Sequence, residues 1–287
     1  MSSSAIVSVV MPVRNGMPYL NMAIQSILQQ TYEHFELLIL DDGSTDNGPD
    51  FIRSIQDTRI RFFCDGMAYG ITHRLNEGIQ HATGEYIARM DADDIAFKNR
   101  FQLQLDYLNK HPEVDLVAGK IAVIGKNNEL LGVRRPPEHH QAIISNPIRG
   151  FPMAHPAFMG KVEWFRQFAY KERTKCEDQD LLLRAMTNSC YANVQEFVLA
   201  YRETVIEPFK YREGRNNYFE ALNDYYFKKS LNASQLLMKC RNALAFYRDW
   251  LALKTGLGYT LLPNRHLPPN SSEIEAWETE RKNLASV

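Results

Sequence analysis

The feature that most constrains this chain is a run of short, almost wholly apolar, β-branched segments in its first 125 residues. Ile6-Val7-Ser8-Val9-Val10-Met11 and Phe35-Glu36-Leu37-Leu38-Ile39-Leu40 carry almost no polar face. Such segments suit strands covered on both sides, as in a parallel sheet flanked by helices. Between them, Tyr19, Leu20, Ala23, Ile24, Ile27 and Leu28 recur at helical spacing, with Pro18 near the helix start. The same reading predicts strands over 59–63, 86–90 and 116–124 and helices over 72–81 and 99–109, the last ending near Pro112. Strand and helix alternating at this pace imply βαβ units, an α/β fold and a mostly parallel central sheet flanked by helices. Right-handed crossovers place the strand C-termini on one edge, where such sheets bind ligands.

The alternation breaks near Asn127. Residues 134–140 read as a polar, Pro-containing connection and 148–156 as a Gly- and Pro-rich loop; 177–188 read as a helix and 191–201 as a strand. Beyond about Val205 the pattern is helical throughout, with Leu236, Cys240, Leu244, Tyr247 and Leu251 on one face of a long helix. This divides the chain into a domain over 1–204, whose pattern changes between its parts about 1–125 and about 126–204, and a C-terminal helical extension over 205–287.

With 33 Lys plus Arg against 34 Asp plus Glu, no basic field for nucleic acid is evident. Cys64, Cys176, Cys190 and Cys240 lack metal-ligand spacing and read as buried free thiols. Met1-Ser2-Ser3-Ser4 lacks the charged region and cleavage site of a signal peptide. No stretch approaches the roughly 18 apolar residues of a membrane span. The expectation is a cytoplasmic protein. The extension mixes Leu237, Phe246 and Trp250 with Lys228, Lys229, Lys239, Arg241, Arg248 and Lys254, which fits peripheral contact at the inner face of a membrane, packing on the catalytic domain, or a homodimer contact.

Polar clusters follow three of the predicted strands: Pro12-Val13-Arg14-Asn15-Gly16, Asp41-Asp42-Gly43-Ser44-Thr45-Asp46 and Asp91-Ala92-Asp93-Asp94. Any one acidic turn is as readily a helix cap. All three together should meet on one sheet edge. Two carboxylates two residues apart on a tight turn suit a hard ion, Mn²⁺ or Mg²⁺, able to bridge a diphosphate and stabilise it as a leaving group.

These segments, with Ala23 to Tyr32, Leu75-Asn76-Glu77-Gly78-Ile79, Gly84 to Asp94, Asn99-Arg100-Phe101 and Glu177-Asp178-Gln179-Asp180-Leu181, resemble a family 2 glycosyltransferase of GT-A fold, in order and spacing over roughly residues 5–202. The resemblance implies an inverting, metal-dependent transfer from a UDP- or dTDP-sugar to a saccharide or lipid-linked saccharide, in cell-surface polysaccharide assembly. It implies that Pro12, Val13, Arg14 and Asn15 lie beside the nucleotide base and that Asp42 accepts from the base N3–H. It implies that Arg74 reaches the diphosphate, Asp91 the ribose side and Asp93 the metal, and that Asp178 is the catalytic base. Asp41, Ala92, Asp94, His155 (in Ala154-His155-Pro156) and Glu177 are weaker candidates. The family usually has an aromatic residue where Arg14 stands; a guanidinium can stack on a planar ring too. For Asp178 alone, a carboxylate favoured by a helix N-terminus is the structural alternative. Two other functions remain as alternatives: a nucleotidyltransferase, although Pro12 to Gly16 lacks a Gly-rich basic phosphate loop, and a silent sugar-nucleotide-binding protein.

Overall fold

The computed structural model describes residues 6–172, 175–203, 208–226 and 266–285, with isolated residues between 244 and 255. Strands β1 (Val7–Val13), β2 (Phe35–Asp41), β3 (Ile60–Phe63) and β4 (Tyr86–Arg89) form the parallel half of one sheet, in the order β3-β2-β1-β4. Helices α1 (Leu20–Leu28), α2 (Gly48–Ser54) and α3 (Ile71–His81) connect them. All seven residues of β1 are buried, which is why its sequence could dispense with a polar face. α3 lies close on β1: a Cβ at Gly78 would stand 2.4 Å from Val10 Cγ1, so the approach requires glycine.

The second half is mixed, and here the sequence reading was incomplete. β5 (Ile95–Ala96) and helix α4 (Arg100–Lys110) lead into β6 (Leu116–Ile124), which pairs antiparallel with β7 (Leu130–Arg134). β8 (Met159–Lys161) joins the halves, antiparallel to both β4 and β6. After α5 (His140–Ile143), α6 (Val162–Phe168) and α7 (Glu177–Ala185), the long β9 (Tyr191–Arg202) pairs parallel with β6 and antiparallel with β5. β7 lies just ahead of the stretch read as a polar connection and β8 just past the one read as a loop, and neither was read as a strand. They are short and lack the dense apolar run that marked the others. Trp164 and Phe165 of α6 are buried in the core.

The C-terminal extension splits into pieces. Helix α8 (Pro208–Tyr226) follows β9 and meets α7. Leu244, Tyr247 and Leu251 are exposed. Leu236, Leu237, Cys240, Phe246, Trp250, Lys228, Lys229, Lys239 and Arg241 lie outside the described residues. The expectation of helix throughout fails at 266–270, because Leu267 pairs antiparallel with Val133, exchanging two backbone hydrogen bonds of 2.9 and 2.7 Å, and extends the sheet past β7. Helix α9 (Ser271–Ala285) then docks on the β6–β9 side. Trp277 is fully buried against Phe97 and Phe197, and its indole N–H donates to the Asn128 carbonyl at 3.1 Å. Glu273 takes a bidentate bond from Arg135, at 2.9 and 2.6 Å, and an ion pair with Lys120 at 2.5 Å; these cations pull its carboxyl down to about 2. Among the cysteines, Cys176 is buried, but Cys64 is exposed rather than buried. Among the described residues, no helix is long and apolar enough to cross a membrane.

Trp277→Ala should cost about 3–5 kcal/mol, the range for truncating a fully buried aromatic. Thermal unfolding measures it, with the midpoint expected to fall by roughly ten degrees. An unchanged midpoint would mean that α9 does not dock as described.

Candidate active site

The register of the parallel half brings the three polar clusters together. Val13 lies opposite Asp41 and Val10 opposite Arg89, so β1, β2 and β4 all end at one edge. The Asp42 N–H bonds to the Val13 carbonyl at 2.8 Å, continuing the ladder past the strand ends. Asn15 adopts φ 53 and is laced to the second cluster: its N–H donates to Ser44 Oγ and its Oδ1 accepts from the Thr45 N–H at 2.8 Å. Asp46 accepts from the Met17 and Gly48 N–H groups, each at 3.0 Å. Asp41 is buried and accepts from the Ser44 N–H at 3.1 Å; Gly43, at φ 69, supplies the turn between them. Pro12 and Val13 are buried in β1 itself.

Asp42 is 5% exposed. Its Oδ1 accepts from the N–H groups of Tyr69 and Gly70, at 2.7 and 2.9 Å, ahead of α3; its Oδ2 lies 3.8 Å from the exposed Arg14. Arg74 is placed differently from the expectation. Its guanidinium is 1% exposed and already engaged by Asp65 at 2.6 Å, Glu77 at 2.8 Å, the Met67 carbonyl at 2.6 Å and, at 3.4 Å, Asp42. A buried cation needs such partners, and meeting that need makes Arg74 a tie for the 65–70 loop rather than a group facing open space.

The acidic turn after β4 is held from three sides. Arg89 is buried in β4 and binds Asp91 Oδ1 at 2.5 Å. The Arg202 N–H donates to Asp94 Oδ1 at 2.8 Å and its Nε to the Asp93 carbonyl at 2.7 Å. Arg100, fully buried, donates to the Arg89 carbonyl at 2.8 Å; burial pulls its guanidinium down to about 9. Asp94 is therefore a buried anchor for the turn, its carboxyl pushed well up by burial and by Asp91 and Asp93. Asp93 reaches solvent. Desolvation by its surroundings, then repulsion from Asp91, pushes its carboxyl up to about 6. One oxygen from each of Asp91, Asp93 and Asp94 lies within 4.8 Å of the others. An oxygen-only donor set carrying excess negative charge fits a hard divalent cation. Ala92, between them, is half-buried against the core.

A second cluster faces the first across Arg89. His155, Glu177 and Asp178 bring ligand-type atoms within 4.8 Å of one another. His155 is buried, its Nε2 2.9 Å from the Tyr170 hydroxyl, and burial followed by the Arg89 charge pushes it well below its usual range, so the ring is neutral. Its Nδ1 lies 3.8 Å from Glu177. Asn76 holds Tyr170 at both backbone N–H and carbonyl, at 2.9 and 2.8 Å. Burial, then Asp178, pushes Glu177 up to about 7. Asp178 sits in the first turn of α7, half-buried, its carboxyl raised by burial and restrained by a bond from Gln179. A cavity of about 1120 Å³ is lined by Arg89, by Asp91 alone of the acidic turn, by His155, Glu177 and Asp178, and by Tyr218 and Leu267 of the extension. Asp42 and Arg14 are outside that lining.

Arg89, Arg202, Tyr170 and Gln179 were missed by sequence reasoning. Arg89 carried a readable signal, a charge inside an otherwise apolar strand. The others act through contacts between segments distant in sequence.

Residues 8–172 match the glycosyl transferase family 2 profile, and the chain belongs to that family. It is similar to the putative glycosyltransferase EpsE of Bacillus subtilis, 31% identical over 212 residues, covering 71% of this chain and 75% of that protein. Over 127 residues it is 32% identical to WfgD of Escherichia coli, a UDP-Glc:alpha-D-GlcNAc-diphosphoundecaprenol beta-1,3-glucosyltransferase, covering 44% of this chain and 49% of WfgD. The chain spans only 38% of the length of a glycosyltransferase of Rickettsia felis with which it is 30% identical over 237 residues, 78% of this chain. Its fold matches that of S. aureus TarS 1–349 in complex with UDP, at TM-score 0.58 and 18% identity over 90% of this chain and 75% of TarS. It also matches the Pyrobaculum calidifontis mannosyltransferase PcManGT in complex with GDP-Man and Mn²⁺, at TM-score 0.60 and 17% identity over 100% of this chain and 82% of that one.

A cation held by Asp93 would have to displace its proton, so on that assignment Mn²⁺ affinity should fall as pH drops through about 6. Free Mn²⁺ measured by electron paramagnetic resonance across pH 5 to 8, roughly the window in which carboxylates raised to this level titrate, checks this. A flat profile would take Asp93 out of the ion's ligands.

Proposed function

We propose that this chain is an inverting, metal-dependent glycosyltransferase that moves a sugar from a UDP- or dTDP-sugar to a hydroxyl of a saccharide or lipid-linked saccharide. The observation that carries the reading is the single cavity onto which the acidic turn, through Asp91, and the carboxylate Asp178 both open. A donor lying along the β1–β2–β4 edge has its base beside Arg14, Asn15 and Asp42, with Pro12 and Val13 shaping the floor. Asp91 meets the ribose side. Asp93 holds Mn²⁺ or Mg²⁺, which when bound neutralises the leaving diphosphate. Arg74 supports the base end indirectly, by fixing the 65–70 loop against Asp42.

Asp178 accepts the proton of the acceptor hydroxyl as its oxygen attacks the anomeric carbon. The bond to the diphosphate breaks on the opposite side, so configuration inverts. His155, neutral and held by Tyr170, packs against Glu177 and keeps that carboxyl oriented beside the base. The likeness to WfgD supports a lipid-linked acceptor, hence a place at the inner face of a membrane in cell-surface polysaccharide assembly.

Asp178→Asn keeps the shape of the side chain and removes its basicity. Transfer should fall by about 10³-fold or more while nucleotide-diphosphate binding, measured by calorimetry, stays near wild type; retained turnover sinks the base assignment. Asp93→Ala should remove the Mn²⁺-dependent part of UDP binding, and binding that still responds to Mn²⁺ would count against the metal assignment.

A further inference from the structure

The base does not stand alone in its first helical turn. Gln179 Nε2 donates to Asp178 Oδ2 at 3.1 Å, while Gln179 Oε1 accepts from the Phe151 N–H at 2.7 Å. The second bond fixes the first: an N–H requires the amide oxygen, so the amide nitrogen must face the carboxylate. The loop on the far side of this bridge is itself fastened. Gly150 N–H bonds to the Pro147 carbonyl at 2.9 Å, and that carbonyl also accepts from the Tyr218 hydroxyl of α8. Gly150 stands at φ 90, and a Cβ there would lie 2.8 Å from Gln179 Oε1. Residues 149–152 of this loop line the cavity.

We infer that Gln179 is a positioning residue: it holds one oxygen of the Asp178 carboxylate and ties it to the acceptor-side loop 147–151, so that seating an acceptor and aiming the base are mechanically one event. The inference rests on the base assignment above. Its chemistry is that of a neutral donor to an anion. The bond favours the ionised carboxylate and works against the burial that raises it. The other groups around Asp178 are Arg89 from β4, His155 and Tyr170 from the segments over it, Glu177 beside it and Tyr218 from α8. Among the described residues none of them is hydrogen-bonded to the Gln179 amide, so replacing Gln179 leaves their charges in place. Gly150 follows from the same arrangement, since only a residue without a side chain lets the loop N–H approach the amide oxygen.

The test is a titration of Asp178 itself, read from its carboxyl ¹³C shift in the full chain labelled at aspartate, with the resonance identified by its loss in Asp178→Asn. In Gln179→Met the midpoint should rise by about half a pH unit or more, the size expected on losing a hydrogen bond to the charged form. Gly150→Ala, which keeps Gln179 but pushes the loop off it, should raise the midpoint in the same direction and decides the matter if Gln179→Met does not fold. A structural role alone would lower the melting temperature and leave the midpoint at its wild-type value, and that result overturns the inference. Transfer retained by Asp178→Asn would instead remove the base reading beneath it, so the two failures are told apart.

Discussion

Three carboxylates within 4.8 Å of one another repel strongly. Each fully charged pair at that separation costs about 3 kcal/mol at an effective dielectric constant of about 20. Much of the surrounding structure answers that repulsion. Arg89 neutralises Asp91 from inside the sheet, the Arg202 backbone satisfies one oxygen of Asp94, and the Arg202 side chain grips the turn by its backbone at Asp93. Arg100 then fastens the carbonyl of Arg89. Asp94 keeps one buried oxygen without a hydrogen-bond partner, and Asp93 is the most exposed of the three. An oxygen-only cluster with this excess of negative charge fits a hard divalent cation.

Arg89 has a second consequence. The charge of the same buried guanidinium reaches both the acidic turn and the His155–Glu177–Asp178 cluster; it favours the ionised forms of Glu177 and Asp178 and adds to the burial that keeps His155 neutral. The acidic turn and the His155–Glu177–Asp178 cluster are thus coupled through one side chain of a central strand. The tail completes the arrangement. Tyr218 of α8 and Leu267, ahead of α9, line the cavity, so segments that read as an appendage form part of its wall.

The parallel half of the fold was legible because burial on both faces leaves a plain apolar signature, as in Val7 to Val13. The strand ends were legible because carboxylates and glycines cannot continue such a strand. β8 was not legible: three residues, Met159-Gly160-Lys161, carry too little pattern to distinguish a bridging strand from a loop. The placement of Arg74 was hidden for another reason. Whether an arginine at a helix start faces a ligand or a loop depends on Asp65 and Glu77, and sequence distance does not say which carboxylate it will meet. The pairing of Leu267 with Val133 joins residues over a hundred positions apart and leaves no local trace.

The central claim is that the edge formed by β1, β2 and β4 holds a metal–diphosphate pair through Asp93. Crystals of the full chain grown with UDP and Mn²⁺, measured at a wavelength where manganese scatters anomalously, test it most directly. The account predicts one anomalous peak in contact with the Asp93 carboxylate and the β-phosphate, with the base of UDP beside Arg14 and Asp42. A peak bound by His155, Glu177 and Asp178 instead, or UDP lodged away from the strand ends, would contradict it.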